Sequence, residues 1–339
     1  MNASRTSAIL EVKDLRVGVR SPKGETQIVR GIDLDVGRGE ILGLVGESGC
    51  GKSVTWLAIM RVLGRQVATS GSVRFGQHQL LDLGERAMAA LRGRHIAMIG
   101  QDATASLNPI RTVGFQLVET LAHHRGFDRS TARAEARRLL DQVRVPAADR
   151  RVGQYPHELS GGTNQRVAIA IALAGTPELL IADEPTTALD VTVQAQILDL
   201  LREIRRDTGM SMVLISHDLG VVRETSDRIA VMYAGRIVEI APAEDFWSEA
   251  SHPYTRGLLG AAPDIDEPVG RLRAIPGSVP APNAIPAGCA FQERCSLRQA
   301  VCSDKAPLLE PSSTGHRAAC HVVAAGQKYQ VSYSLENSA

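Results

Sequence analysis

The stretch Ile41-Leu42-Gly43-Leu44-Val45-Gly46-Glu47-Ser48-Gly49-Cys50-Gly51-Lys52-Ser53 decides how the rest of the chain is read. Its first five residues are an apolar run of the kind that forms a buried strand. Residues 46–53 fit G-x-x-x-x-G-K-[ST], and Trp56, Ile59, Met60 and Leu63 then fall on one face at helical spacing. Strand, glycine-rich loop and helix in that order make a phosphate loop. Glycines let backbone N–H groups wrap the phosphates, and the helix N-terminus favours their negative charge. Lys52 is expected to reach the β- and γ-phosphates, and the Ser53 hydroxyl to sit on Mg²⁺, a hard cation that prefers oxygen. The candidate ATP-binding set is therefore Gly46, Glu47, Ser48, Gly49, Cys50, Gly51, Lys52, Ser53 and Val54. Cys50 reads as a small filler whose thiol pKa the helix-terminal amides could lower. A chance glycine-rich turn is the plain alternative, and the flanking strand and helix argue against it.

Outward from the loop, residues 9–19 and 27–36 show the Val/Ile-rich patterns of two earlier strands. Residues 179–182 and 212–216 read as later strands separated by a helix over 191–207, the alternating order of a mostly parallel α/β sheet. Between the early and the later strands, residues 112–145 turn helical, with Ser130 or Thr131 as N-cap and Pro146 just beyond the end. This is an inserted helical lobe, about 103–165. After Pro242 the chain becomes rich in Pro, Gly and Ala, and four of its five cysteines lie between Cys289 and Cys320. A large domain over 1–242 and a small one over 243–339 follow.

Bulk properties narrow the partners. The chain of 339 residues is 44% hydrophobic and 22% charged, enough for a large core. A formal net charge of +1 from interleaved charges gives no field that selects nucleic acid or acidic lipid. The first residues have no apolar signal region, and no apolar run approaches the ~20 residues that span a bilayer, so a cytoplasmic chain is expected.

Two carboxylates close the strand at 179–184, Leu-Leu-Ile-Ala-Asp-Glu. Asp183 is placed to bind Mg²⁺ and Glu184 to polarise an attacking water. Taken alone, such a pair is a solvated strand end, and the phosphate loop upstream is what gives it weight. Leu159-Ser160-Gly161-Gly162, followed by Gln165-Arg166, opens a helix, which an ordinary Ser N-cap would explain with no ligand at all.

Together these segments resemble the ATP-binding subunits of ABC transporters. The resemblance implies an α/β P-loop NTPase fold, the ABC cassette, with an antiparallel β subdomain and a helical lobe, plus a small Cys-rich C-terminal domain. It implies that Ser160, Gly161 and Gly162 bind the γ-phosphate of ATP held by a second ABC ATPase subunit, a paralogue or a second copy. Gln101 resembles the Q-loop glutamine near Mg²⁺ and the attacking water, Asp190 the aspartate that crosses the dimer interface, and His217 the switch histidine on the γ-phosphate. Glu184, His217 and Gln101 are thus the catalytic set, and Ser53, Gln101 and Asp183 the Mg²⁺ set. Leu159-Ser160-Gly161-Gly162 with Gln165-Arg166 resembles the family's signature, and departures are Val17 and Val19 where the family stacks an aromatic on adenine, Thr163-Asn164 within that signature, and Gly100-Gln101-Asp102-Ala103 without the common Phe and Pro.

Residues 106–109 (Ser-Leu-Asn-Pro), 252–255 (His-Pro-Tyr-Thr) and 276–280 (Pro-Gly-Ser-Val-Pro) resemble the dipeptide/oligopeptide/nickel importer branch. That branch implies two integral-membrane permeases, an extracytoplasmic solute-binding protein reached through them, no nucleic acid, and a peripheral place on the cytoplasmic face of the bacterial inner membrane. It also associates Cys289, Cys295, Cys302 and Cys320, separated by 5, 6 and 17 residues, with a [4Fe–4S] cluster. Zinc, which usually shows tighter cysteine spacing, and unliganded thiols stay open. The other functional class is a soluble ABC ATPase without permeases, serving DNA repair, translation or redox regulation. It is disfavoured by the single cassette, the missing heptad insertion and the importer-like tail.

Overall fold

A computed structural model describes residues 7–22, 24–261, 275–313 and 315–326. They form two compact units. Of the described residues, one takes those up to Leu10, Asp35–Ile41 and Arg74–Ile215, and the other takes those in Glu11–Leu34, Leu42–Val73 and from Ser216 onward.

In the first unit the strands Ile96–Ile99, Leu179–Asp183 and Ser211–Ile215 run parallel, with Ile99 opposite Ala182 and Asp183 opposite Ile215. Every residue of the last two is buried, as a parallel strand requires when covered on both faces. The helix Val191–Thr208 connects those two strands. It is capped by Asp190, ends at the left-handed Gly209, and buries Ile197, Leu198, Leu200, Leu201 and Ile204.

The helical run expected over 112–145 is instead two helices, Val113–Arg125 and Arg129–Gln142. Gly126 ends the first in the left-handed conformation. Asp128, and neither Ser130 nor Thr131, caps the second, because its carboxylate accepts the backbone N–H of both, at 2.8 and 2.9 Å.

In the second unit, residues 42–45 of the strand Ile41–Val45 pair in parallel with the strand Arg228–Tyr233. That strand turns through Ala234 and Gly235, both at positive φ, into the antiparallel strand Arg236–Pro242. The tail then adds to the same sheet. His316–Ala318 pairs antiparallel with Arg236–Pro242, and Glu310–Ser313 pairs with His316–Ala318. Set apart by its composition, the tail extends the sheet whose first strand feeds the phosphate loop. Val45, Tyr233, Phe246, Tyr254 and Phe291 form one buried cluster there, with Cys289 and Cys295 packed against it.

Candidate nucleotide site

The loop of residues 46–53 has the form its glycines predict. Gly46 has φ 152°, and a Cβ there would lie 2.2 Å from the Met232 carbonyl oxygen. Gly51, at φ 108°, starts the helix Lys52–Ile59 with no side-chain cap, so the first helical amides are left for an anion. Lys52 is buried, and its ammonium donates to the carbonyl oxygens of Gly46 at 2.7 Å and Glu47 at 3.2 Å. Ser48 and Gly49 are exposed, while Ser53 and Val54 are half-buried. Such a ring of backbone closed over a lysine fits a polyphosphate.

Cys50 is a small buried filler, as its sequence suggested, but its thiol is not lowered. It is 1% exposed, and burial pushes its thiol up despite Lys52 beside it, so the helix amides do not activate it. Val17 is wholly buried in the core and unavailable to a base, whereas Val19 is half-buried.

In the other unit, Gln101 and Glu184 meet. Gln101 Nε2 donates to Glu184 Oε2 at 2.9 Å, and the Thr187 hydroxyl donates to the same oxygen at 2.9 Å. Sequence reasoning missed Thr187 as a partner of Glu184, although its spacing of three residues was the available signal. Glu184 has φ 48°, a conformation costing ~1–3 kcal/mol for a side-chain residue, and its N–H donates to the Ile215 carbonyl. Strain of that kind is kept where the surroundings fix a side chain for use. Asp183, 4% exposed, closes the strand just before it.

Ser160 caps the helix Gly161–Leu173, and its hydroxyl lies 2.9 Å from that of Thr163. A Cβ on Gly162 would lie 2.8 Å from Val193 Cγ1, and one on Gly161 3.6 Å from Leu189. The signature therefore packs closely on the segment that contains Asp190, whose carboxylate caps its helix through Val193 N–H at 3.0 Å. Gln165 and Arg166 are buried, with Arg166 donating to the Val143 carbonyl and the Gln196 side chain. His217 is exposed, just before the Asp218-capped helix Leu219–Thr225.

Tail residues also reach the phosphate loop. Tyr254 OH accepts the Glu47 N–H at 2.9 Å, and Arg294 holds the Glu47 carboxylate at 2.6 and 2.9 Å. Neither residue was legible as a site member. Next to them, Glu239 is wholly buried, accepts the His252 N–H, and lies 2.8 Å from His316 Nε2.

His252 is 2% exposed, and its Nδ1 accepts the Tyr254 N–H at 3.1 Å. Burial pushes it down to about 4 despite the pull of Glu239. The unfolded chain takes up a proton near pH ~6.5 that the folded chain refuses until about 4. Stability should therefore fall as pH drops through that window, by about 3 kcal/mol in all. Urea midpoints measured across it should slope in the parent and be flatter in His252→Asn; equal slopes would assign the effect elsewhere.

Among Cys289, Cys295, Cys302 and Cys320, each thiol is within electrostatic reach of the others. Burial first, then that crowding, pushes Cys289 and Cys295 up to about 11. Among the described residues, no three His, Cys, Asp or Glu side chains converge as ligands of a single ion.

The phosphate loop, the strand-end carboxylates and the Ser-capped glycine helix define a P-loop nucleotide-binding protein of the ATP-binding-cassette type. A family model described as ABC transporter matches residues 29–187, and one described as oligopeptide/dipeptide transporter, C-terminal region, matches 238–302. The oligopeptide transport ATP-binding protein OppD of Salmonella typhimurium is 46% identical over 93% of this chain and 93% of its own. A Brucella abortus protein named for peptide import and ATP binding is 49% identical over 93% and 94%. A solved dimeric ATP-binding cassette in a post-hydrolysis state with ADP and Pi matches with TM-score 0.63 at 26% identity. It covers 69% of this chain and 98% of that one. The chain belongs to the ABC transporter family, as an ATP-binding subunit.

Proposed function

We propose that this chain is the ATP-hydrolysing subunit of a binding-protein-dependent importer of peptides. The observation that carries this reading is a likeness to peptide-import ATP-binding proteins that runs through the cassette and on into the tail. Residues 1–242 are the nucleotide-binding domain and 243–339 the importer-type C-terminal region. No helix among the described residues is long and apolar enough to cross a membrane. Transport runs through two permease partners, a reading supported by the peptide-import relatives. The subunit works on the cytoplasmic face of the inner membrane, fed by an extracytoplasmic binding protein.

The loop amides and Lys52 bind the phosphates of ATP, while Ser160, Gly161 and Gly162 complete the site on a second ATPase subunit. Glu184, its carboxylate fixed by Gln101 and Thr187, orients the water and receives its proton, and His217 contacts the γ-phosphate. Mg²⁺ bound by Ser53 and Asp183, with Gln101 near, would neutralise charge on the β- and γ-oxygens. Cys289, Cys295, Cys302 and Cys320 are the residues that would hold a [4Fe–4S] cluster, which when bound would cross-link the tail. Supporting this is the mutual approach of the four thiols.

Gentle, anaerobic solubilisation of native membranes followed by affinity isolation of this chain tests these assignments. Two polytopic permeases, a sister ATPase, a peptide-loaded binding protein, and iron with sulfide are the expected yield. A soluble complex with ribosomes or DNA would sink the importer reading, and a complete transporter without iron would sink the cluster alone.

A further inference from the structure

Glu47 is the second residue of the phosphate loop, and all three of its polar groups are held. Its carbonyl accepts from Lys52 at 3.2 Å, inside the loop. The other two are held by the tail: the N–H donates to Tyr254 OH at 2.9 Å, and the carboxylate takes a two-pronged ion pair from Arg294 at 2.6 and 2.9 Å. Arg294 is itself anchored. Its side chain is 5% exposed, its Nε donates to the Pro276 carbonyl at 2.8 Å, and its guanidinium lies 5.8 Å from the ring centres of both Tyr233 and Phe291.

The arrangement poses an electrostatic question. A loop that must accept a polyanion carries a carboxylate in its own second position, where unshielded negative charge would repel the ligand. Arg294 cancels that charge in a half-buried setting where a solvent counterion would do so poorly. Tyr254 fixes the backbone at the same residue, so the loop keeps its shape without ligand and spends less ordering entropy on binding.

We propose that Arg294 and Tyr254 are positioning residues for ATP: the tail neutralises and pins Glu47, and thereby sets the affinity of the phosphate loop for nucleotide. This rests on the reading that residues 46–53 bind the phosphates. Neither tail residue need touch ATP.

The test is titration of a fluorescent ATP analogue, with Mg²⁺, into the purified full chain and its variants, with thermal melts confirming folding. Arg294→Ala should weaken binding about 10- to 100-fold, because it strands the Glu47 carboxylate beside the phosphates. Adding Glu47→Gln to that variant should restore affinity to within about threefold of the parent, since the stranded charge is then gone. Tyr254→Phe, which removes one hydroxyl, should weaken binding about 2- to 10-fold with little change in melting. In the assembled transporter Arg294→Ala and Tyr254→Phe should raise KM for ATP and leave kcat near the parental value.

Binding by Arg294→Ala within about twofold of the parent would overturn the proposal, as would a double variant no tighter than Arg294→Ala alone. If Arg294→Ala does not fold, Arg294→Lys, which keeps charge but not the two-pronged geometry, and Tyr254→Phe decide the matter by the same titration. Lys52→Ala separates the two levels of the argument. Parental binding by that variant would defeat the phosphate-loop reading itself, whereas lost binding there with unaltered Arg294→Ala would defeat only the brace.

Discussion

Replacing Glu184 with Gln is expected to stop hydrolysis while leaving ATP bound. The substitution keeps the size of the side chain and an oxygen for Gln101 or Thr187, and Gln sits in the left-handed backbone at φ 48° at the same cost as Glu. What it removes is the charge that orients the water and takes its proton. A lost general base costs about 10²- to 10⁴-fold in rate. Phosphate release by the assembled transporter should fall accordingly, while nucleotide affinity measured on the purified chain stays put. Release within a few-fold of the parent would mean that another group accepts the proton.

Lys52→Ala should have the largest effect on binding. The lysine is buried with its ammonium 2.7 Å from the Gly46 carbonyl, a charge held inside the loop by two backbone oxygens. An ammonium held this way is a charge-assisted donor already in place for phosphate oxygens, each such contact being worth ~1.5–3 kcal/mol. With two phosphates contacted, affinity should drop by at least ~10²-fold. Isothermal titration of ATP into the variant checks this. A Kd near the parental value would defeat the reading that residues 46–53 hold the phosphates.

The elements nearest the chemistry were the most legible, for a physical reason. Leu179–Asp183 and Ser211–Ile215 are buried on every residue, so they read as unbroken apolar runs that end where the polar site begins. Gly46 and Gly51 announce themselves because only glycine takes their backbone angles so near to Met232. The helical lobe was blurred since Asp128, Ser130 and Thr131 are all good caps, and only the geometry shows which one accepts. The tail strands were invisible: Glu-Pro-Ser-Ser and His-Arg-Ala are too short and too polar to show a period of two.

The contacts of Glu47 left no trace at all in the pattern, because Arg294 lies 247 positions away and a single sequence records no pairing at that distance. Cys50 is the small filler that its place in the loop suggested, but its neighbours in space bury it and raise its thiol where the helix-terminal amides in sequence suggested lowering.

The span between Glu47 and Arg294 bears on how such chains can be recombined. A crossover anywhere between the two codons would join the loop of one parent to the tail of another, and a chimera that brings Glu at one end without Arg at the other inherits a lone half-buried charge. Loop and tail are therefore one heritable module split across the gene, and tail exchange between relatives should succeed only when both positions travel together.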